Sequence, residues 1–326
     1  MAGSLGRRVL AGALPLLLLA APVLAQPRYE VAAKRMTVPH PGLASIPVTV
    51  WYPVSASSAA AGHERRPAPG RHRLVVLSHG SGGALDNHGD TVRALVSAGL
   101  LVATPLHPYD NRKDMTGVGS DLQLLGRPHQ VVLTLDAILA DPMLSLAVDP
   151  ARIGFIGYSA GGYTGLVLAG ARPDFKLGLV HCARGDRDSA FCGWIGRGVR
   201  RLARDKLRVV HDARIRAAVL MAPAWSVFFD RHGLADVTIP LRLYRAANDT
   251  LVRAATGEEH LLKWLPRPPE YVVIPGGDHT VFVAPCGQGM RGPACADAKG
   301  VDRVAIHRKM NREILDFFDR TLGKDP

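Results

Sequence analysis

The strongest constraint in the chain is the hexapeptide Gly157-Tyr158-Ser159-Ala160-Gly161-Gly162, because of what flanks it. Residues 152–156 make a short apolar run of strand character and residues 164–169 resume helical spacing, so the serine falls where a buried strand must turn sharply into a helix. Such a turn forces its middle residue into a strained backbone conformation, and its neighbours must lack side chains to avoid collision. The Ser159 hydroxyl is thereby pushed out past the carboxyl end of the strand, where backbone N–H groups of a helix point toward it. Gly-x-Ser-x-Gly in isolation is often an ordinary turn; between a strand and a helix it reads as a nucleophile.

The rest of the pattern agrees with a layered α/β chain. Residues 29–38 and 46–52 alternate enough to be edge or antiparallel strands, and a soft loop follows over 55–70. Strands are then expected at 74–78, 100–104, 152–156, 215–221, 241–246 and 271–274. Helices are expected at 87–97, 127–139, 254–265 and 302–322, besides the one that starts near Ser159. That order implies a mostly parallel central sheet flanked by helices. The alternation breaks over 172–214, which reads as a cap inserted into one catalytic domain spanning 26–326.

A serine needs a base and a home for negative charge. His79-Gly80-Ser81-Gly82-Gly83 ends an early buried strand in a glycine-rich turn that can present a backbone N–H to an acyl oxygen; Ser81 is the expected first donor and Ala160 the second. Each such donor stabilises the transition state by about 3 kcal/mol. A phosphate-gripping loop is disfavoured, since the Lys-Ser/Thr ending is missing. Among thirteen histidines His279 is selected by position, late in the chain after a strand and the turn Pro275-Gly276-Gly277-Asp278. His79 is expected to be a structural hydrogen-bonder, and His260 and His307 to lie on surface helices. Asp249 follows the strand 241–246 and completes the order Ser, Asp, His; Asp278, adjacent to the histidine, and Asp236 are the outsiders.

Composition adds context. Arg7 and Arg8 precede an apolar run over 9–20 and then Val23-Leu24-Ala25, the pattern of an export signal over 1–25 cleaved after Ala25; a single membrane anchor is the rival, opposed by the run's shortness and by Pro15 and Pro22. The expected location is periplasmic or extracellular. The four cysteines fall as two close pairs, Cys182 with Cys192 and Cys286 with Cys295, which favours two local disulfides, although three connectivities exist. Zinc is the weaker alternative, because neither pair has a zinc site's ligand gap. The formal net charge is +12, or +10 without Arg7 and Arg8, yet no nucleic-acid-binding signature accompanies it, so nucleic acid is not an expected partner. The excess concentrates in the insertion, where nine Arg and Lys206 face four Asp between Arg184 and Arg216. Overhanging the serine, that segment could draw acidic substrates or touch an anionic membrane surface, although charge runs are most often solvated faces.

The set Ser78-His79-Gly80-Ser81-Gly82-Gly83, Gly157-Tyr158-Ser159-Ala160-Gly161-Gly162, Asn248-Asp249-Thr250-Leu251-Val252 and Gly277-Asp278-His279 resembles the α/β-hydrolase superfamily. Within it the chain is similar to secreted bacterial proteins described as predicted dienelactone hydrolases, a group related to platelet-activating-factor acetylhydrolase. Ala190-Phe191-Cys192, Val283-Ala284-Pro285-Cys286 and the closing Asp302-Arg303, His307 and Phe317-Phe318 share in that likeness. True dienelactone hydrolases carry a cysteine nucleophile where this chain has Ser159, which points away from dienelactone as substrate. The resemblance implies an α/β-hydrolase fold and a secreted serine carboxylesterase without metal or organic cofactor, acting on small or lipid-like esters through Ser159, His279 and Asp249. The rivals are an amidase or peptidase on the same residues, and a non-catalytic envelope binding protein that kept the hydrolase shell.

Overall fold

The computed structural model describes residues 29–55, 65–184, 189–194, 197–204, 209–287 and 292–324, together with Met1 and Gly3. The expected export signal, but for those two residues, lies outside the described residues, as do positions 56–64 of the soft loop and parts of the expected insertion.

Eight strands follow in chain order: β1 (Glu30–Val38), β2 (Ile46–Val54), β3 (His72–Ser78), β4 (Leu101–Pro105), β5 (Val148–Tyr158), β6 (Ile215–Met221), β7 (Leu241–Ala246) and β8 (Glu270–Ile274). They form one sheet in the order β1-β2-β4-β3-β5-β6-β7-β8. The first hairpin and the β2–β4 pair are antiparallel, and every later neighbour is parallel. Parallel strands need crossover helices, and these cover both faces. The main helices are α1 (Gly89–Ser97), α2 (Gly126–Ala140), α3 (Ala160–Leu168), α4 (Phe175–Ala183), α5 (Ser189–Trp194), α6 (Arg197–Leu202), α7 (Glu258–Trp264) and α8 (Arg303–Leu322).

The central strands are apolar without alternation because both of their faces are buried. In β3, Leu74 and Val76 join one core with Phe155, Leu135 and Leu166, while Val75 and Leu77 join the other with Val96, Phe317 and Phe318. The register sets Ser78 opposite Gly157 and Tyr158 opposite Met221, so three strands end together at the carboxyl edge of the sheet. Helix α8 starts on Asp302, whose carboxylate accepts the Ala305 N–H at 2.9 Å, and it buries Met310, Ile314, Phe317, Phe318 and Leu322 along one stripe.

Two expectations change. The helix expected over 254–265 begins only at Glu258, because Gly257 stands outside helical space at φ −105° and ψ −114°. His307, expected on a surface helix, is buried: its Nδ1 faces an Asp90 carboxylate oxygen at 2.7 Å and its Nε2 the Val281 carbonyl at 2.8 Å. The stripe facing the sheet includes position 307, and the polar ring is tolerated there because both nitrogens find partners.

Where the alternation is interrupted, the described residues form α4, α5 and α6, with Cys182 of α4 joined to Cys192 of α5 and, further on, Cys286 to Cys295. Among the described residues no helix is long and apolar enough to cross a membrane.

Phe318 packs so closely on the sheet that a Cβ added to Gly154 would lie 2.7 Å from its ring. Phe318→Ala is expected to cost about 3–5 kcal/mol of stability, read from the denaturant midpoint at unchanged slope.

Candidate active site

Ser159 sits between the last residue of β5 and the first of α3 at φ 54° and ψ −113°, a backbone conformation that L-residues rarely adopt. Its N–H donates to the Met221 carbonyl at 2.9 Å, and its carbonyl accepts from the N–H groups of Gly162 (2.8 Å) and Ala224 (3.0 Å). The glycines serve close approach. A Cβ on Gly157 would stand 2.1 Å from the Gly161 carbonyl oxygen, and one on Gly161 would stand 2.1 Å from that of Ser78. Neither position can carry any side chain.

The structure brings Ser159, His279 and Asp249 into one line. His279 Nε2 lies 3.0 Å from the Ser159 hydroxyl oxygen, and His279 Nδ1 lies 2.6 Å from an Asp249 carboxylate oxygen. An ionised carboxylate only accepts, so the proton belongs on Nδ1 and Nε2 is left free to accept from the serine hydroxyl. The other carboxylate oxygen of Asp249 accepts from the N–H groups of Leu251 (2.9 Å) and Val252 (2.8 Å), which fixes the acid from behind. The loops after β7 and β8 are stitched together, since Asn248 N–H donates to the Gly277 carbonyl at 2.8 Å. Tyr158, the residue before the serine, donates its hydroxyl to the His279 carbonyl at 2.9 Å.

The outsiders are occupied elsewhere. Asp278 starts the short turn His279–Phe282 by accepting from the N–H and hydroxyl of Thr280, and Asp236 pairs with Arg172 at the surface. His260 contacts the Phe229 carbonyl at 2.6 Å.

The turn after β3 lies against the serine: a Cβ on Gly80 would be 3.4 Å from Ser159 Cβ. Ala160 opens α3, which no side chain caps. The turn rests on a buried network that sequence reasoning missed. Asp110 and Arg127 pair at 3.0 Å with both side chains at 0% exposure. Asp110 also accepts from the Ser81 hydroxyl (2.6 Å), the Gly82 N–H (3.0 Å) and Gln123 (2.7 Å), and Arg127 donates to the His79 carbonyl. Burial alone would raise the Asp110 pKa, but the guanidinium and these donors hold it below the ordinary carboxylate value. His79, beneath the turn, accepts the His107 N–H at Nε2 (3.2 Å) while Nδ1 faces the Gly80 carbonyl (2.7 Å). Nothing in the spacing of Asp110 and Arg127 marks them as partners.

A cavity of about 150 Å³ opens at the serine and histidine, walled by Phe191, Trp194, Trp225, Leu251 and Val252 among others. A larger cavity, about 460 Å³, lies at the opposite end of the sheet between Pro67 and Met143, and no serine, histidine or acidic residue lines it. Among the described residues four non-glycine residues have positive φ, and two of them, Ser159 and Trp225, line the smaller cavity. Strain of this kind collects where surrounding structure holds a functional geometry. In the basic segment Arg201 pairs with Asp121, and Arg214 with Asp212 and Asp136, so part of its charge is already compensated.

A solved ferulic acid esterase from Streptomyces cinnamoneus superposes with a TM-score of 0.61 over 93% of this chain and 93% of its own, at 21% identity. The chain has the α/β-hydrolase fold. No protein-family model matches it, nor does any curated protein sequence.

Two experiments test the site's physics. Asp110→Asn leaves the buried Arg127 charge uncompensated and is expected to cost about 3–5 kcal/mol in denaturant unfolding. Glu258, behind Asp249, has both carboxyl oxygens buried without a hydrogen-bond partner among the described residues, and its pKa is pushed up to about 8 by burial, with the Asp249 charge adding to the effect. The folded state therefore holds a proton that the unfolded chain releases above an ordinary 4.5, so this group lowers stability as pH rises from 4.5 through 8. His79 and His88, kept neutral with pKa values lowered chiefly by burial to about 3 and about 4, act in the opposite sense and lower stability as pH falls below 6.5. Thermal melts of Glu258→Gln are expected to show a Tm several degrees above the parent at pH 8 and the same Tm at pH 4.5.

Proposed function

We propose that the protein is an exported serine carboxylesterase. The observation that carries this reading is the unbroken hydrogen-bonded line from the Ser159 hydroxyl through His279 to Asp249, with the serine held at φ 54° over the start of α3. Ester hydrolysis by the solved fold neighbour, a ferulic acid esterase, supports the same reaction class. Two disulfides fit an oxidising compartment outside the cytoplasm.

In this mechanism Ser159 attacks the ester carbonyl as His279 Nε2 takes its proton, forming a tetrahedral intermediate. Asp249 holds the imidazole in the tautomer that accepts at Nε2 and stabilises the imidazolium once formed. The N–H groups of Ser81 and Ala160 take the oxyanion, and the Asp110–Arg127 network keeps the Ser81 turn in place beforehand, so no reorganisation is needed during reaction. His279 returns the proton to the leaving alcohol; water then attacks the acyl-enzyme with His279 as base, releasing the acid and restoring Ser159.

Ser159→Ala is expected to lower kcat by about 10⁴- to 10⁶-fold with the fold intact by circular dichroism. The parent is expected to be labelled by a fluorophosphonate at Ser159, which a non-catalytic binding protein with an unactivated serine would resist. Matched ester and amide substrates separate the esterase from an amidase, whose leaving group demands stronger protonation by His279.

A further inference from the structure

The cavity at Ser159 is small and closed on one side by a wall that belongs to the interruption between α3 and β6. Phe191 and Trp194 come from α5, and Cys192 between them is bonded to Cys182 of α4. Trp194 stacks on Trp225 with ring centroids 4.4 Å apart and planes 22° from parallel, and Trp225 meets the edge of Tyr163 in α3 at 5.4 Å. Phe191 packs on Phe228 at 5.5 Å, and Phe228 on Phe175 of α4 at 4.8 Å. That packing is tight: a Cβ on Gly178 would lie 2.4 Å from the Phe228 ring and 3.1 Å from that of Phe191. The wall is thus tied through stacked rings to Trp225 and α3 on one side and by a covalent bond to α4 on the other.

Resting on the serine-esterase reading, we propose that this disulfide-tied wall is the specificity determinant of the enzyme and admits only a compact, uncharged acyl group, no larger than about one six-membered ring. The size follows from the volume: an apolar cavity of about 150 Å³ accommodates a benzene-sized ligand, and this one measures about 150 Å³. The lack of charge follows from the lining, in which His279 is the one titratable group among the ten residues that form it; an acyl carboxylate there would be buried unpaired. The acyl side is assigned because the floor of the cavity is locked to the nucleophile itself, Ala224 N–H donating to the Ser159 carbonyl. His279, which hands its proton to the departing alcohol, also borders the cavity. This restriction runs against the expectation that the basic segment draws acidic substrates.

The test measures kcat/KM for 4-nitrophenyl acetate, butyrate, octanoate, dodecanoate and hemisuccinate on the full chain, on Trp194→Ala, on Ala190→Leu and on the double variant Cys182→Ser/Cys192→Ser, with Ser159→Ala as blank. One methylene in an apolar pocket changes kcat/KM by about 10- to 200-fold, so the parent is expected to favour butyrate over octanoate by at least tenfold and over hemisuccinate likewise. Trp194→Ala and the cysteine double variant should each narrow the butyrate-to-octanoate ratio by at least tenfold. Ala190→Leu, which fills the cavity, should depress butyrate relative to acetate, and it keeps the test decisive should the wall variants fail to fold. A parent that turns over octanoate or hemisuccinate as fast as butyrate, or an acetate-to-butyrate ratio that Ala190→Leu leaves unchanged, overturns the proposal while leaving the esterase reading intact. Absence of Ser159-dependent hydrolysis of every ester overturns both.

Discussion

Everything at the site depends on two backbone crossings too tight for a side chain. The carbonyl of Gly161 lies over Gly157, and that of Ser78 over Gly161. These contacts press the first turn of α3 onto the ends of β3 and β5 at once, so the strained serine and the turn after β3 are held at one point. An alanine at either position would need a shift of more than an ångström in a backbone already paired on both sides. The chain thus spends two glycines to fix where a hydroxyl stands relative to the neighbouring strand, and loops of ordinary flexibility have only to bring the other groups to it.

Behind this junction the polar groups are buried in pairs. Burying Asp110 and Arg127 is costly on its own, and replacing such a pair by apolar residues is often neutral or favourable to stability. Its retention here makes physical sense through what it holds: the Ser81 hydroxyl, the Gly82 N–H and the His79 carbonyl all end on the two charges. An apolar replacement would fill the space and leave the turn unaligned. Glu258 and the neutral His79 and His88 lower stability in opposite pH directions, Glu258 as pH rises from 4.5 through 8 and the histidines as it falls below 6.5, so the domain gives up stability to keep these groups buried.

Much of the architecture was legible in the sequence because burial on both faces writes a parallel strand as an unbroken apolar run, as in Leu74-Val75-Val76-Leu77 and in residues 217–221. The expected positions of Ser159, Asp249 and His279 came from their places after strands β5, β7 and β8, and the structure brings those three side chains together. Contacts between segments distant in sequence left no such trace. Asp110 and Arg127 sit on a loop and a helix with no shared periodicity, and the stacking of Trp194 on Trp225 joins segments whose proximity depends on how the interrupted region folds back. His307 is hard to place for a related reason: helical spacing identifies the buried stripe, but a polar residue within it reads as solvent-facing until partners such as Asp90 and the Val281 carbonyl are known.

The turn that carries His279 is held from outside its own loop. Arg303 donates to the Ala294 carbonyl and reaches the Thr280 hydroxyl, and His307 meets the Val281 carbonyl, so both anchors come from α8. The final helix therefore completes a seat for the imidazole that Tyr158 and the loop after β7 also support. Removing α8 would therefore strip the His279 turn of two of its supports while leaving the strands that carry Ser159 in place.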